Sequence, residues 1–152
     1  MLIMGILNVT PDSFADGGRH NEFGAAVARG LEMIAEGVDI IDIGGESTRP
    51  GAERVSEVEE IERTIPVIAE LAMHGVKITI DTMRASTAEV AIKAGASIIN
   101  DVSGGLADPH MLQTAARLGV PYIAMHWRGQ SKDMNSKAIY SDVVIDVISE
   151  LQ

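Results

Sequence analysis

Asn8, Asp42, Glu46, Asp81, Asn100, Asp101 and His126 are the residues whose types and spacing could do chemistry. Each stands at, or just past, the end of a short apolar run. A carboxylate accepts two N–H donors in one plane, and an amide offers a donor beside an acceptor. Together they suit a heterocycle with alternating donors and acceptors. The amide oxygen of Asn8 could also ligate Mg²⁺, which takes one or two protein oxygens and leaves the rest to water and phosphate. No Lys stands at a strand end, which argues against Schiff-base chemistry within this segment. His20, His74 and His110 fall on loops or helices without ligand spacing, and His74 suits a helix carboxyl end. The chain has no cysteine, so disulfides, zinc-thiolate sites and thiol nucleophiles are excluded, which fits a reducing compartment.

Two loops rich in Gly, Pro and Asp follow the first two runs, Thr10 to Gly18 and Gly44 to Gly51. The first carries Phe14 between Asp12 and Asp16; the second carries Thr48, Arg49 and Pro50. An aromatic and an arginine on long loops suit lids that close over a substrate. A solvated cation and a buried staple are the plain alternatives, and both readings stay open at this point.

These residues are positioned by short apolar runs that alternate with amphipathic helices. Strands are expected at Leu2 to Val9, Val38 to Ile43, Val76 to Ile80, Ser97 to Asn100 and Tyr122 to Met125. The first helix is expected from Glu22 to Glu36 with Asn21 as its N-cap and Phe23, Val27, Leu31 and Ile34 as its stripe. The second follows a Ser56/Glu59 capping box, buries Val58, Ile61, Ile65, Ile68 and Leu71, and is expected to kink at Pro66. A Ser86/Glu89 capping box opens the third, and Asp108 with Pro109 at the first helical position opens the fourth. A fifth begins near Ser141, with Val144, Val147, Ile148 and Leu151 on one side. Gly37, Gly75, Gly95 and Gly119 mark the helix ends.

That alternation predicts an α/β fold with a parallel sheet and right-handed crossovers. Polar residues ending five parallel strands then point to one carboxyl-end face, where such folds bind ligands. One Asn or Asp at a strand end is ordinarily a turn former; five together mark a site. An open doubly wound sheet usually carries a Gly-rich turn after its first strand, but here the turn reads NVTPDSFADGG. A (β/α)₈ barrel needs about 250 residues, of which this chain would supply about five βα units.

Composition limits the partners. Net charge is −10 and hydrophobic residues make up 46% of 152 residues, so the chain is globular rather than disordered. An acidic surface argues against nucleic acid. No apolar run reaches the roughly 18 residues of a membrane helix, and no basic stretch precedes the apolar opening MLIMGIL. No membrane role is expected, and the cytoplasm is the expected location.

The runs NVTPDSF (Asn8–Phe14), GGESTRPG (Gly44–Gly51), IDT (Ile80–Thr82) and INDVSGG (Ile99–Gly105) resemble those of bacterial dihydropteroate synthase, in order and at family-like spacing. The resemblance implies a (β/α)₈ TIM barrel, with residues 1–152 forming a single pterin-binding domain incomplete at its carboxyl end. It implies condensation of 6-hydroxymethyl-7,8-dihydropterin pyrophosphate with p-aminobenzoate, releasing pyrophosphate, with Mg²⁺ required and sulfonamides as inhibitors. Asn8 matches the magnesium and pyrophosphate position. Asp81 and Asn100 match pterin-binding positions, with Val102 and Met125 resembling apolar walls of that pocket. Thr48 and Arg49 match the second loop near the aminobenzoate and pyrophosphate. Phe14 and Pro50 match positions around the aminobenzoate ring, and Asp16 the first-loop acid at the reacting centre. Asp16, Arg49 and Asp81 are therefore the expected catalytic residues.

The resemblance also implies a second half. The family carries a further pterin-binding Asp, a Ser-Arg-Lys loop, an Arg-x-His clamp and the helices of a homodimer interface there. The chain is accordingly expected to be part of a larger enzyme. Two rival readings share the barrel: a pterin-binding methyltransferase domain, and a non-catalytic half-barrel that binds pterin.

Overall fold

The computed structural model describes residues 1–10, 18–49 and 51–152, and the side chains of all of these except residues 18–21. Strand β1 is Met4–Asn8, β2 Ile40–Gly44, β3 Lys77–Asp81, β4 Ile98–Asp101 and β5 Tyr122–Ala124. The helices are α1 (Gly18–Ala35), α2 (Glu57–Ala72), α3 (Ala85–Ala94), α4 (Met111–Leu118), a short α5 (Met134–Lys137) and α6 (Val143–Glu150). The strands form one parallel sheet in the order β1-β2-β3-β4-β5. Every crossover goes to the next strand and the order never reverses, unlike the doubly wound arrangement. Helices α1 to α4 pack in the same succession.

The two sheet faces differ sharply. Leu7, Ile41, Ile43, Ile78, Ile80 and Ile99 lie on the helix side, at most 2% exposed, against Val67, Ile68 and Leu71 of α2, Ala88 and Ala91 of α3, and Met111 of α4. The opposite face carries Asp42, Thr79, Asp81 and Asn100 in register, flanked by exposed Met4, Ile6 and Ile123.

Several helices differ from their expected form for identifiable reasons. Helix α1 begins at Gly18, so Asn21 lies within it rather than capping it. Its buried seam is Ala26, Gly30 and Met33, while Phe23 and Leu31 are exposed. A Cβ on Gly30 would lie 2.4 Å from Leu71 Cδ1, so small residues set the α1–α2 approach. Helix α2 has Ser56 as its N-cap, and it runs unbroken through exposed Pro66. Its buried face is Glu60, Thr64, Val67, Ile68 and Leu71, whereas Val58 is exposed.

Ser86 caps nothing, being inside α3. The Asp108 carboxylate instead accepts the Ala85 N–H at 2.8 Å, from 23 residues downstream. It also accepts His110 N–H at 2.9 Å, so α4 starts at Met111 behind an Asp108 turn, with His110 rather than Asp108 at its cap position. Asp142 caps α6. Gly37, Gly75, Gly95 and Gly119 all have positive φ and close their helices as expected.

Candidate functional site

The register brings one row of residues together at the carboxyl end of the sheet: Asn8, Gly44, Asp81, Asn100 and Ile123. Partners in one register row share a face, so Asn8, Asp81 and Asn100 point away from the helices. Gly44 leaves space beside Asp81, because a Cβ there would lie 3.4 Å from Asp81 Oδ2. One row below, Asp42 and Thr79 are partners, and the Thr79 hydroxyl donates to Asp42 Oδ1. Asp42 Oδ2 accepts from Asn100 Nδ2 at 3.1 Å. A carboxylate only accepts, so Asp42 fixes which end of the Asn100 amide turns towards it. The Asn100 oxygen and second N–H remain for a ligand.

Asp81 has no hydrogen-bond or ion-pair partner among the described residues. Burial, followed by the charges of Asp42, Glu60, Asp101 and Glu46, pushes its carboxyl up to about 7. Burial also raises the Asp42 carboxyl, against the hydrogen bonds from Thr79 and Asn100. The site thus offers a carboxyl whose burial favours its protonated form, beside an amide of fixed orientation.

Behind Asp81 lies a buried ionic cluster. Glu60, 1% exposed, accepts the Thr82 hydroxyl at 2.6 Å, the Thr87 hydroxyl at 3.1 Å and Arg84 Nη1 at 2.5 Å. Arg84 also donates to Glu46 Oε2 at 2.9 Å and to the Val55 carbonyl at 2.6 Å. Burial opposes the Arg84 charge, but Glu60 and Glu46 outweigh it and raise its pKa. Glu46 Oε1 accepts from Arg54 at 2.9 Å. Glu46, Thr48, Glu60, Asp81, Thr82, Met83 and Val102 line a small open cleft.

The loop from β2 to α2 forms an arch beside this cleft and contributes Glu46 and Thr48 to its lining. Arg63 donates to the Gly45 carbonyl at 3.0 Å, and a Cβ on Gly45 would lie 2.9 Å from Thr64 Cγ2. Only glycine lets this loop start so close to α2. Further along, Gly51 N donates to the Ser131 carbonyl at 2.8 Å, so the loop reaches the segment after β5. Thr48 and Arg49 stand exposed on the arch.

Of the residues singled out from sequence, Asn8, Asp81 and Asn100 share the register row, and Thr48 and Val102 share the cleft with Asp81. Met125, just past β5, is exposed. Phe14, Asp16 and Pro50 lie outside the described residues. Two expectations are corrected. Asp101 faces the helix side, fully buried, and accepts from Ser103 N and Oγ, Gly105 N and the Tyr122 hydroxyl. It is a turn former that raises the Tyr122 hydroxyl pKa, after burial. His126 pairs with Glu150 of α6 at 2.6 Å instead of joining the row. Glu60, Arg84 and Thr79 were missed. The polar spacing of Glu60 and Thr64 in step with Ile68 and Leu71 was the available signal.

The chain matches the description "pterin binding enzyme" over residues 4–152. It is 52% identical over 151 residues to the dihydropteroate synthase of Bacillus subtilis, covering 99% of this chain and 50% of that protein. The Xanthomonas albilineans dihydropteroate synthase with 4-aminobenzoic acid superposes with a TM-score of 0.86 at 46% identity, covering 95% of this chain and 51% of that one. For the Yersinia pestis dihydropteroate synthase with a sulfonamide drug, the TM-score is 0.87 at 44% identity, covering 97% and 54%. The chain spans about half the length of the relatives it matches. Its five consecutive βα units correspond to that share of a (β/α)₈ barrel.

Proposed function

This chain belongs to the pterin binding enzyme family, and from that premise we propose that it carries the pterin pocket and second loop of a dihydropteroate synthase. The reaction joins 6-hydroxymethyl-7,8-dihydropterin pyrophosphate to p-aminobenzoate in folate biosynthesis. The observation that carries this reading is the Asp81 carboxyl, without a partner among the described residues, beside the Asn100 amide, whose orientation Asp42 fixes. A pterin edge with ring N–H, amino and carbonyl groups complements that acceptor–donor pattern.

In the reaction, the bond between the methylene carbon and the pyrophosphate oxygen breaks, and its electron pair leaves with pyrophosphate. The amine nitrogen of p-aminobenzoate bonds to that carbon and loses a proton. Ionised Asp81 stabilises positive charge developing on the pterin. A cationic ring beside the carboxyl favours that ionised form in turn. Thr48 and the Arg49 guanidinium would meet the pyrophosphate and the aminobenzoate carboxylate, with Phe14 and Pro50 around its ring and Asp16 near the reacting carbon. Val102 and Met125 would wall the pterin.

Among the described residues, no group of three acidic or imidazole side chains could hold a metal through protein ligands alone. Asn8 is exposed at the end of β1 in the Asp81 row, a neutral oxygen donor that fits an ion bound mainly through water and phosphate. Asn8 would hold Mg²⁺, which supplies neutralisation of the pyrophosphate charge. Cytoplasmic location, a homodimer and sulfonamide inhibition belong to the same proposal; among the described residues no helix is long and apolar enough to cross a membrane.

The test is formation of 7,8-dihydropteroate by the gene product as encoded, with both substrates and Mg²⁺. Sulfonamide-sensitive product supports the reading. Pterin binding without product would leave a pterin-binding module and overturn the activity.

A further inference from the structure

We propose that Arg84 is a positioning residue that clamps both ends of the loop between β2 and α2 and so sets where its exposed residues Thr48 and Arg49 stand over the substrate. The loop's entry is Glu46, 8% exposed, whose two oxygens are taken by Arg54 and Arg84. Its exit is the Val55 carbonyl, which Arg84 Nη2 holds at 2.6 Å. Arg84 itself is anchored by Glu60 of α2, whose remaining acceptor capacity is filled by Thr82 and Thr87. One guanidinium, three residues past Asp81, therefore joins entry, exit and the strand that bears the site carboxyl.

The geometry needs an arginine. Three acceptors, one in α2 and two at the ends of the loop leading into it, are met by the planar fork of donors, whereas an ammonium is a single point charge. The Arg54–Glu46 pair ties the base of the arch as well. Tying the ends lowers the entropy lost when the arch orders over a ligand. The cluster lines the same cleft as Thr48 and Asp81. Glu46 makes no hydrogen bond to the Asp81–Asn100 row, and its charge is the weakest of the four that raise the Asp81 carboxyl, so displacing it acts first on the arch.

This inference rests on reading the arch as the part that meets p-aminobenzoate. The test uses Arg84→Lys and Glu46→Gln in the gene product as encoded. Steady-state kinetics for each substrate are read together with amide hydrogen exchange over residues 45–56. In both variants the KM for p-aminobenzoate rises about tenfold, the effect of one lost charge-assisted hydrogen bond, while the KM for the pterin pyrophosphate stays within about twofold. Exchange in residues 47–53 accelerates while β2 and β3 stay protected. Equal rises in both KM values, or unchanged exchange in the arch, overturn the clamp. Glu46→Gln keeps the Arg84–Glu60 pair, so it decides the matter if Arg84→Lys does not fold. If the unaltered protein makes no product, the reading of the site fails, and hydrogen exchange alone still tests the clamp.

Discussion

Asn100 on β4 donates to Asp42 on β2 across the whole width of β3, at 3.1 Å. Strands two apart lie about 10 Å from one another in a flat sheet. The bond therefore requires side chains that converge on the face opposite the helices, which is the concave face of a barrel. Asp42→Asn leaves the volume unchanged but lets the Asn100 amide turn over. Pterin affinity should fall about tenfold or more, the loss of one hydrogen bond to a charged group, and discrimination against 2,4-diaminopteridines should relax. Calorimetry with both ring types reads this; equal losses for both would assign Asp42 to packing instead.

Asp81 sets a pH dependence of opposite sign to most carboxylates. Its folded value of about 7 lies above the ordinary 3.8, so between those pH values the folded state holds a proton the unfolded state has released. This group's contribution is therefore lost as pH rises from about 4 to 7 and stays a cost above that. Asp81→Asn should raise Tm at pH 8 by about 2–4 °C, allowing about 1 kcal/mol after screening by solvent. The difference should vanish near pH 4, while pterin affinity is lost at every pH.

Asp108 works for two helices at once, accepting Ala85 N–H and His110 N–H. Those hydrogen bonds outweigh burial and lower its pKa, so its contribution is present above the unfolded value and lost as pH falls through the folded one. Asp108→Ala should cost about 1–2 kcal/mol by urea unfolding at pH 7. The penalty should shrink below pH 3.

Gly30 lies inside α1, where alanine would ordinarily favour the helix by about 1 kcal/mol. Here the added Cβ would meet Leu71 Cδ1 at 2.4 Å, and Leu71 is fully buried. Gly30→Ala should therefore destabilise by about 1–2 kcal/mol. Gly24→Ala, whose added Cβ meets nothing within 4 Å among the described residues, should stabilise the same helix and serves as its control.

Arg49 is exposed and has no ion-pair partner among the described residues. Arg49→Gln should leave Tm within about 1 °C, as surface changes usually do. Turnover should fall at least tenfold, about 1.4 kcal/mol of lost charge stabilisation. A matching fall in Tm would mean that the side chain holds the loop rather than the substrate.

The βα alternation, the glycines that end each helix, and the placement of Asn8, Asp81 and Asn100 at strand ends were all legible in the sequence. Each depends on local physics: apolar period, turn chemistry, and positive φ at Gly37, Gly75, Gly95 and Gly119. The tertiary structure alone decided which strand-end groups meet in one row, because the parallel register sets Asn8, Asp81 and Asn100 level with each other. Asp101 stands one residue beyond Asn100, so the pleat already sets it on the helix side. Tertiary structure also brought Arg84 to Glu60 and Glu46, 24 and 38 residues away, and placed Asp108 as a cap for α3. Periodicity records that a residue sits on one side of its own element. Which charge meets it there is set by the parallel register and by helix packing, and these pairings leave no local signal in the chain.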